Sequence, residues 1–501
     1  MEPEASGTSG RGKVTLPPLK HGEASYDISP VLPAIAKVTP TQGGKPVQVD
    51  AGIISIPEGV GALPSKTEAG IISVQGAEDP VGVAHARAQA HHASKALPLQ
   101  IVVYFEDKTG IDLSVEDGQH AEAGELFEII MDEMKFPAVA RDVFSLWLVS
   151  DLLELQLKPN QVPFKLVFFW EELLEKYTTT PEEDAERDEP VLVFRRNVFC
   201  SRVRDQRIDD PSLLRLLYAE AKENIIDARY PISQTDCDML AGIQALIDHT
   251  VYLREEHTAE YYRSKLSDYY PEHFCKRKVK LFRRHTINPE DRLVSSHYSA
   301  SRKYGMAISA EEKKVCYKAY LEYCWKLPYY GAAFFRGQIE HPSKKLRLMS
   351  MTDDPVFVAI NTEGVFIIDL DDVEFLMGLT YEQLKWEFAL PKNPEDRNCM
   401  PCLFLQFGAS ENGRNCTKVL QVFSRQGTLM DGLISACIKL KRQTRAEDQL
   451  DGAMLDTVDG TQDGVIESGG ETWMNFNRLC LTTFDCKGKL LSTSARVPKV
   501  H

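Results

Sequence analysis

The stretch from Leu327 to Phe335 constrains the fold most, because the spacing of the apolar residues changes there. Upstream, apolar residues recur at helical spacing, and downstream they alternate as they do in strands. Pro328 and Gly331 provide a helix stop and a turn between the two patterns. A free linker would be polar and flexible, so this junction predicts a helical module packed on a β module. The predicted packing residues are its four aromatics, Tyr329, Tyr330, Phe334 and Phe335.

Composition limits the class of protein. The 501 residues are 43% hydrophobic and 26% charged, which suits two to four globular domains. The net charge of −15 argues against nucleic acid as a partner. Eleven cysteines show no pairing rhythm, no apolar run approaches the roughly 18 residues of a spanning helix, and no signal peptide pattern opens the chain. We therefore expect a cytoplasmic protein with reduced thiols.

The composition of both terminal segments predicts disorder. Residues 1–96 are rich in Gly, Pro, Ser and Ala and contain one aromatic residue, Tyr26, so they offer little apolar surface to bury. The string AGIIS occurs at 51–55 and again at 69–73, either as a duplicated piece of tail or as a pair of docking motifs. Residues 442–501 are dominated by Gln, Asp, Gly and Thr and predict a mostly disordered tail.

Residues 97–204 predict a ubiquitin-like β-grasp module. A β-rich run at Leu99–Phe105, a turn and a second run at Ile111–Val115 indicate a hairpin, and Leu126 to Met134 follow at helical spacing. The remaining predicted elements are strands at 144–149 and 152–157, a helix at 169–177 and a strand at 191–195. The resulting order is ββαββαβ.

Residues 205–326 predict a four-helix bundle. Three apolar helical faces run from Leu214 to Ile225, from Leu240 to Ile247 and from Tyr261 to Leu266. The fourth helix starts at Ser309, which together with Glu312 has the spacing of a capping box.

Residues 327–441 predict a PH- or PTB-like module of seven strands closed by one helix. The strands are expected at 332–339, 356–360, 365–370, 374–379, 384–390, 403–407 and 419–423. The strand at 384–390 alternates apolar and polar residues and should be buried on one face only. The helix at 426–440 carries two neighbouring apolar stripes, which is more apolar surface than one core contact requires.

The order of modules resembles the FERM domain family over residues 97–441. Leu217–Asn224 followed by Tyr230-Pro231 is similar to the first helix of the FERM central lobe, and Tyr330-Gly331 with Phe334-Phe335 is similar to the entry of the third lobe. The resemblance implies an α+β fold of three lobes: a ubiquitin-like lobe, a helical lobe like acyl-CoA-binding protein, and a PH/PTB-like lobe. The first lobe would span 97–204, the second 205–326 and the third 327–441.

Four further strings resemble one adaptor branch of that family; they lie at 144–150, 155–159, 188–190 with 194–199, and 327–337. This resemblance implies a monomer without a cofactor that binds the N-terminal cytoplasmic region of an iRhom pseudoprotease at the plasma membrane. It would stabilise the iRhom and its ADAM-type sheddase, and also restrain Wnt signalling through a co-receptor tail. The alternative is a membrane–cytoskeleton linker of the ezrin/band 4.1 type, which would need a helical rod where about sixty polar residues follow the third lobe.

No motif predicts an enzyme, a metal site or a cofactor site. Gly7–Lys13 has phosphate-loop spacing, but Val14 stands where the magnesium-binding Ser or Thr belongs and no strand precedes it. Cys399 and Cys402 have zinc-like spacing without a second Cys/His pair. The remaining candidates, His85, His91 and His92, lie in the low-complexity segment.

The first predicted binding feature is a groove between the strand at 384–390 and the C-terminal helix, where a peptide could add itself as an extra strand. The predicted groove residues are Lys385, Glu387, Met430, Ile434 and Ile438. On this reading Ile434→Asp would abolish capture of the partner tail and leave the domain folded. In the alternative reading, the apolar helix residues simply pack on the sheet or on another lobe.

The second predicted feature is a basic patch that attracts anionic phosphoinositide membranes. Its residues are Lys276, Arg277, Lys278, Lys280, Arg283, Arg284, Lys344, Lys345 and Arg347. A solvated basic loop is the alternative reading.

Overall fold

The structure is a computed structural model that describes residues 14–15, 98–276, 287–305, 309–341, 353–391, 399–411, 414–455, 474–475 and 478–492. The chain divides into two compact units. The first contains 1–135, 145–175 and 180–195, and the second contains 136–144, 176–179 and 196–501.

The strands are β1 Val14–Thr15, β2 Leu99–Phe105, β3 Thr109–Val115, β4 Phe144–Val149, β5 Glu154–Gln156, β6 Val191–Arg196, β7 Ala333–Ile339, β8 Asp354–Ile360, β9 Gly364–Asp369, β10 Glu374–Thr380, β11 Lys385–Ala389, β12 Cys402–Glu411, β13 Arg414–Phe423, β14 Leu481–Asp485 and β15 Leu490–Ser492. The helices are α1 Ala123–Met134, α2 Ala140–Val143, α3 Pro163–Phe168, α4 Trp170–Tyr177, α5 Glu182–Ala185, α6 Arg202–Gln206, α7 Pro211–Ile226, α8 Gln234–His249, α9 Ala259–Arg263, α10 Glu272–Cys275, α11 Pro289–Tyr304, α12 Ala310–Cys324 and α13 Gly427–Leu455, with a 3-10 turn at Leu266–Asp268.

The first unit is built on a β-grasp sheet of order β1-β3-β2-β6-β4-β5. Strands β2 and β3 form the predicted hairpin, and β2 pairs with β6 in parallel. Helix α1 begins with a capping box between Glu122 and Glu125, ends at Lys135 in the left-handed conformation and buries Leu126 and Ile130. The predicted ubiquitin-like lobe is confirmed.

The helical part of the second unit contains four long helices, α7, α8, α11 and α12. Ser233 caps α8, and Ser309 and Glu312 form the predicted capping box of α12. Gly242 lets α8 approach α11 closely, because a Cβ atom there would lie 2.4 Å from the main-chain oxygen of Ser296.

The third member of the bundle corrects the sequence prediction. The segment expected as the third helix forms only the short α9, and the long third helix is α11, in a stretch for which no helix was predicted. The buried face of α11 includes Glu290 and His297 beside Leu293. Because polar side chains occupy core positions, the hydrophobic spacing that marks an amphipathic helix is weak there.

The β part of the second unit has the predicted seven strands and closing helix. Strands β7 to β13 are ordered β10-β9-β8-β7-β13-β12-β11, and all their described neighbours pair antiparallel. Strands β12 and β13 form a hairpin of ten residue pairs, which is longer than expected. The PH/PTB-like lobe is confirmed.

Two segments after residue 441, where the sequence predicts a mostly disordered tail, have regular structure. Helix α13 continues to Leu455, and β14 and β15 extend the sheet at β13. Pairing to an open strand edge is a tertiary effect that composition does not reveal. At the other end of the chain, Val14–Thr15 pairs with β3. The rest of residues 1–96, including both AGIIS strings, lies outside the described residues.

The junction from Leu327 to Phe335 is the seam between the helical and β parts of the second unit. Tyr329 donates its hydroxyl hydrogen bond to the main-chain oxygen of Pro231, and the Tyr230 hydroxyl accepts one from the Gly331 amide at 2.9 Å. The Tyr230 ring lies 6.0 Å from that of Phe334. All four junction aromatics are buried, which confirms them as packing residues: Tyr329, Tyr330, Phe334 and Phe335.

A buried arginine reinforces this seam. Arg196 donates from Nε to Asp205 at 2.7 Å, from Nη2 to the main-chain oxygen of Cys200 at 2.6 Å and from Nη1 to that of Gly331 at 3.1 Å. Its guanidinium also lies 5.2 Å from the centre of the Tyr330 ring. Within the second unit, Arg196 therefore ties the segment that contains Cys200 and Asp205 to the turn that opens the third lobe.

Candidate functional site

Strand β11 is the last strand of its sheet. It pairs with β12 through five residue pairs, from Lys385 with Gln406 to Ala389 with Cys402, and the described residues contain no partner on its other side. Leu390, which follows it, is 69% exposed. An unpaired strand edge presents main-chain donors and acceptors to which an extended peptide can add.

Helix α13 lies against this strand. The Trp386 indole donates from Nε1 to Asp431 Oδ1 at 2.8 Å. Gly427 allows the helix start to approach Phe388, since a Cβ atom would lie 2.7 Å from Phe388 Cε2. These two contacts fix the distance between strand and helix and so define a groove between them.

A pocket of about 490 Å³ opens at the start of β11, within the size range of sites that bind small ligands or anchoring side chains. Its apolar surface comes from Leu384, Trp386 and Ile438. The other lining residues are Tyr381, Glu382, Lys385, Lys441 and Arg442. An apolar side chain can therefore enter beside groups of mainly positive charge.

The charges around the pocket do not balance. Lys441 Nζ lies 2.8 Å from Glu382 Oε1. Partial burial acts to raise the pKa of Glu382, but the hydrogen bond and charge of Lys441 outweigh it and lower that pKa to about 2. Among the described side chains none forms an ion pair with Lys385 or Arg442, so the pocket favours an acidic group.

The structure places the predicted groove residues in two environments. Lys385 and Glu387 are exposed on β11, and Ile438 lines the pocket half-buried. Met430 and Ile434 are fully buried in the core of the lobe, which corrects their assignment to the groove. Their stripe accounts for the wide apolar surface of the helix, and Ile434→Asp would therefore put a carboxylate into the core instead of testing the groove.

Several pocket residues were missed by the sequence reasoning. Leu384 and Trp386 belong to the alternating strand, but their role in the pocket depends on how α13 crosses it. Lys441 and Arg442 fall beyond the predicted end of the helix at 440, and α13 in fact continues through them. The basic residues Lys439, Lys441 and Arg442, which follow the apolar stripe of the helix, were the sequence feature that could have indicated the positive wall of the pocket.

The predicted membrane patch is mostly outside the described residues. Lys276 is exposed and lies 3.0 Å from Glu272. The remaining predicted residues fall outside the described ranges: Arg277, Lys278, Lys280, Arg283, Arg284, Lys344, Lys345 and Arg347. Membrane attraction by this patch stays a prediction.

Of the other motifs, only the Cys399 and Cys402 pair lies within the described residues. Gly7–Lys13 and the three low-complexity histidines fall outside the described ranges. Cys402 is buried at the start of β12, where burial raises the pKa of its thiol to about 12. The part of the chain that the structure describes contains no His/Cys/Asp/Glu group suited to a metal ion and no helix with the length and apolarity to cross a membrane.

Comparison with known proteins identifies the family. The FERM central domain family matches residues 203–335, and the family described as KRIT1/FRMD8, FERM domain C-lobe matches residues 354–433. FERM domain-containing protein 8 of Mus musculus is 37% identical over 380 residues, which cover 74% of this chain and 80% of that protein. The chain belongs to the FERM domain family.

A second relative of this FERM protein is FERM domain-containing protein 8 of Homo sapiens, which is 35% identical over 390 residues covering 76% of this chain and 83% of the relative. The solved human myosin 7b MyTH4-FERM domain, in complex with a harmonin-a PDZ3 domain, aligns over 72% of this chain and 63% of its own with a TM-score of 0.46 and 15% identity. By its family this chain is a FERM adaptor, and the groove beside β11 lies in its C-lobe.

Proposed function

We propose that this FERM adaptor captures the cytoplasmic tail of a membrane protein by strand addition at β11. The observation that carries the proposal is an edge strand with one open side, next to a pocket with apolar walls and excess positive charge. Main-chain hydrogen bonds to β11 would supply affinity, and the pocket would supply selectivity.

The partner we propose is the N-terminal cytoplasmic region of an iRhom pseudoprotease. Binding would hold the adaptor at the cytoplasmic face of the plasma membrane and stabilise the iRhom together with its ADAM-type sheddase. Restraint of Wnt signalling would follow if a co-receptor tail occupied the same groove. Support for this choice comes from the relationship to FERM domain-containing protein 8 and from the resemblance of the sequence strings described above.

The chemistry of the pocket defines the kind of segment that fits. An apolar side chain of the tail would contact Trp386 and Ile438, and a neighbouring Asp, Glu or phosphorylated residue would lie near Lys385 and Arg442. Because Lys441 is already paired with Glu382, it stabilises the wall of the pocket and contributes less than Lys385 and Arg442 to the attraction of an acidic group.

The substitution Ile438→Glu tests the groove. It places a carboxylate on the apolar wall of the pocket, so we expect the affinity of the full chain for the iRhom cytoplasmic region to fall about tenfold or more. The matched control is Ser435→Glu, which adds the same charge at an exposed position of α13 outside the pocket. Isothermal titration calorimetry measures both affinities, and thermal unfolding checks that both variants stay folded. Equal affinities of Ile438→Glu and the control would contradict the proposal.

A further inference from the structure

The C-terminal strap, defined here as residues 474–475 and 478–492, adds to the C-lobe at two places. Strand β14 pairs with β13 through five residue pairs, from Cys416 with Asp485 to Leu420 with Leu481. Met474 forms a bridge with Met377 of β10, and the Asn475 amide donates to the main-chain oxygen of Leu376 at 2.9 Å. The strap thus pairs with strands at both places through main-chain groups.

An arginine anchors the strap in an acidic notch formed by Asp369, Asp372 and Glu374. Arg478 donates from Nη2 to Asp369 at 2.5 Å, and from Nη1 to Asp372 at 2.7 Å and Glu374 at 3.3 Å. Asn475 also donates to Glu374 at 3.1 Å. One side chain of the strap therefore meets three carboxylates of the lobe.

The notch is built to hold a guanidinium. The Asp369 side chain is only 3% exposed, and its Oδ1 accepts hydrogen bonds from the amides of Asp371 and Asp372 at 2.9 and 2.8 Å. Those amides fix the carboxylate so that Oδ2 faces Arg478. A buried carboxylate that loses its cationic partner is unfavourable, so the notch favours an occupant that carries an arginine.

The strap adds to a lobe whose other elements already form the expected fold. Strands β7 to β13 and helix α13 complete the seven-stranded PTB-like order, and the C-lobe family match ends at residue 433. In the strap, the buried side chains include Leu479, Thr482 and Thr483. Its attachment therefore combines main-chain pairing, the side-chain contacts of Arg478 and Asn475 and a short buried run, which is the manner in which extended peptides bind sheet edges.

We propose that the edge of β13 and the acidic notch form a second peptide-binding site, in which the strap is an exchangeable resident. The partner that fits is an extended segment with an arginine three residues before a β-prone run, as Arg478 precedes Leu481–Asp485. The site is separate from the groove at β11, because β13 and β11 flank β12 on opposite sides. Such a partner would displace the strap and leave the β11 edge open to a membrane-protein tail.

Binding of a labelled peptide of residues 474–492 to the full chain tests this proposal. The tethered strap competes at an effective concentration of about millimolar, so the unaltered chain should bind the peptide weakly. Arg478→Glu replaces the anchoring cation with a carboxylate that the three acidic side chains of the notch repel. Because the strap then no longer competes for the site, the apparent affinity for the added peptide should rise about tenfold or more. Fluorescence anisotropy of the labelled peptide measures its affinity for each chain. Lys487→Glu, at an exposed position in the turn between β14 and β15, is the control with the same charge change.

Hydrogen exchange of the same variants decides among the outcomes. In the Arg478→Glu chain, the β13 amides that face the strap should lose protection and regain it when the peptide is added. Adding Asp372→Arg to Arg478→Glu restores an opposite-charge pair between positions 372 and 478 of the same chain. The strap should then occupy its site again, and the added peptide should bind weakly. The proposal is overturned if the Arg478→Glu chain binds the peptide no better than the control. It is also overturned if the substitution unfolds the C-lobe as a whole, because the strap is then an integral strand.

Discussion

At the residue scale, Gly331 is the most constrained position of the seam. Its φ is +65°, and a Cβ atom there would lie 2.2 Å from Arg196 Nη1 and 2.4 Å from Arg196 Cζ. Arg196 cannot easily move, because its guanidinium is buried and hydrogen-bonded to Asp205 and to main-chain oxygens. Sequence reasoning found the turn glycine and the junction aromatics, but not Arg196, whose partners lie up to 135 residues away in the chain.

We therefore predict that Gly331→Ala lowers the free energy of unfolding by roughly 3 kcal/mol, through the left-handed conformation and the clash with Arg196. Gly408→Ala is the control, since a Cβ atom there meets nothing within 4 Å, and it should change stability by less than about 1 kcal/mol. Chemical denaturation measures both. Similar losses for the two variants would show that the seam adapts and that Arg196 does not fix it.

At the element scale, the strands of the C-lobe were predicted more accurately than helix α11 and the segments after residue 441. Strands β7 to β13 were found because alternating burial and turn residues mark them locally. Helix α11 was missed because its core face is polar, and β14 was missed because its stability comes from the edge of β13. The groove was located through β11, whereas Met430 and Ile434 were misplaced because a helical stripe alone does not show which part faces the sheet.

The polar core of α11 predicts a pH dependence. His297 is buried; its Nδ1 accepts from the Tyr262 hydroxyl and its Nε2 donates to the main-chain oxygen of Thr250, both at 2.8 Å. Burial lowers the pKa of His297 to about 4, below its usual 6.5, and the neighbouring His257 and His249 act in the same direction. The folded state thus binds fewer protons than the unfolded state between these pH values.

Stability from neutral His297 should be complete above pH 6.5 and decline as pH falls towards 4. Between pH 7 and pH 4 the unaltered chain should lose on the order of 2 kcal/mol more than His297→Gln, which has no ring to protonate. Denaturation curves at several pH values test this difference. A stability difference between the two proteins that stays constant with pH would contradict the assignment.

At the scale of the whole molecule, an acidic chain presents a locally basic pocket beside an open strand. The net charge of −15 would repel an acidic tail at long range, so recognition depends on the pocket around Lys385 and Arg442 at short range. The C-lobe carries this groove at the edge strand β11 and the strap at β13, on the other side of β12. This arrangement suits an adaptor that joins a membrane-protein tail to a second extended partner.

Hydrogen exchange of the full chain with and without the iRhom cytoplasmic region tests strand addition at β11 most directly. Strand addition pairs the open amides of β11, so residues 385–389 should gain protection when the region binds, and β13 should not change. If the region binds and β11 exchanges as fast as in the unbound chain, the groove is not the site of capture and the central claim is wrong.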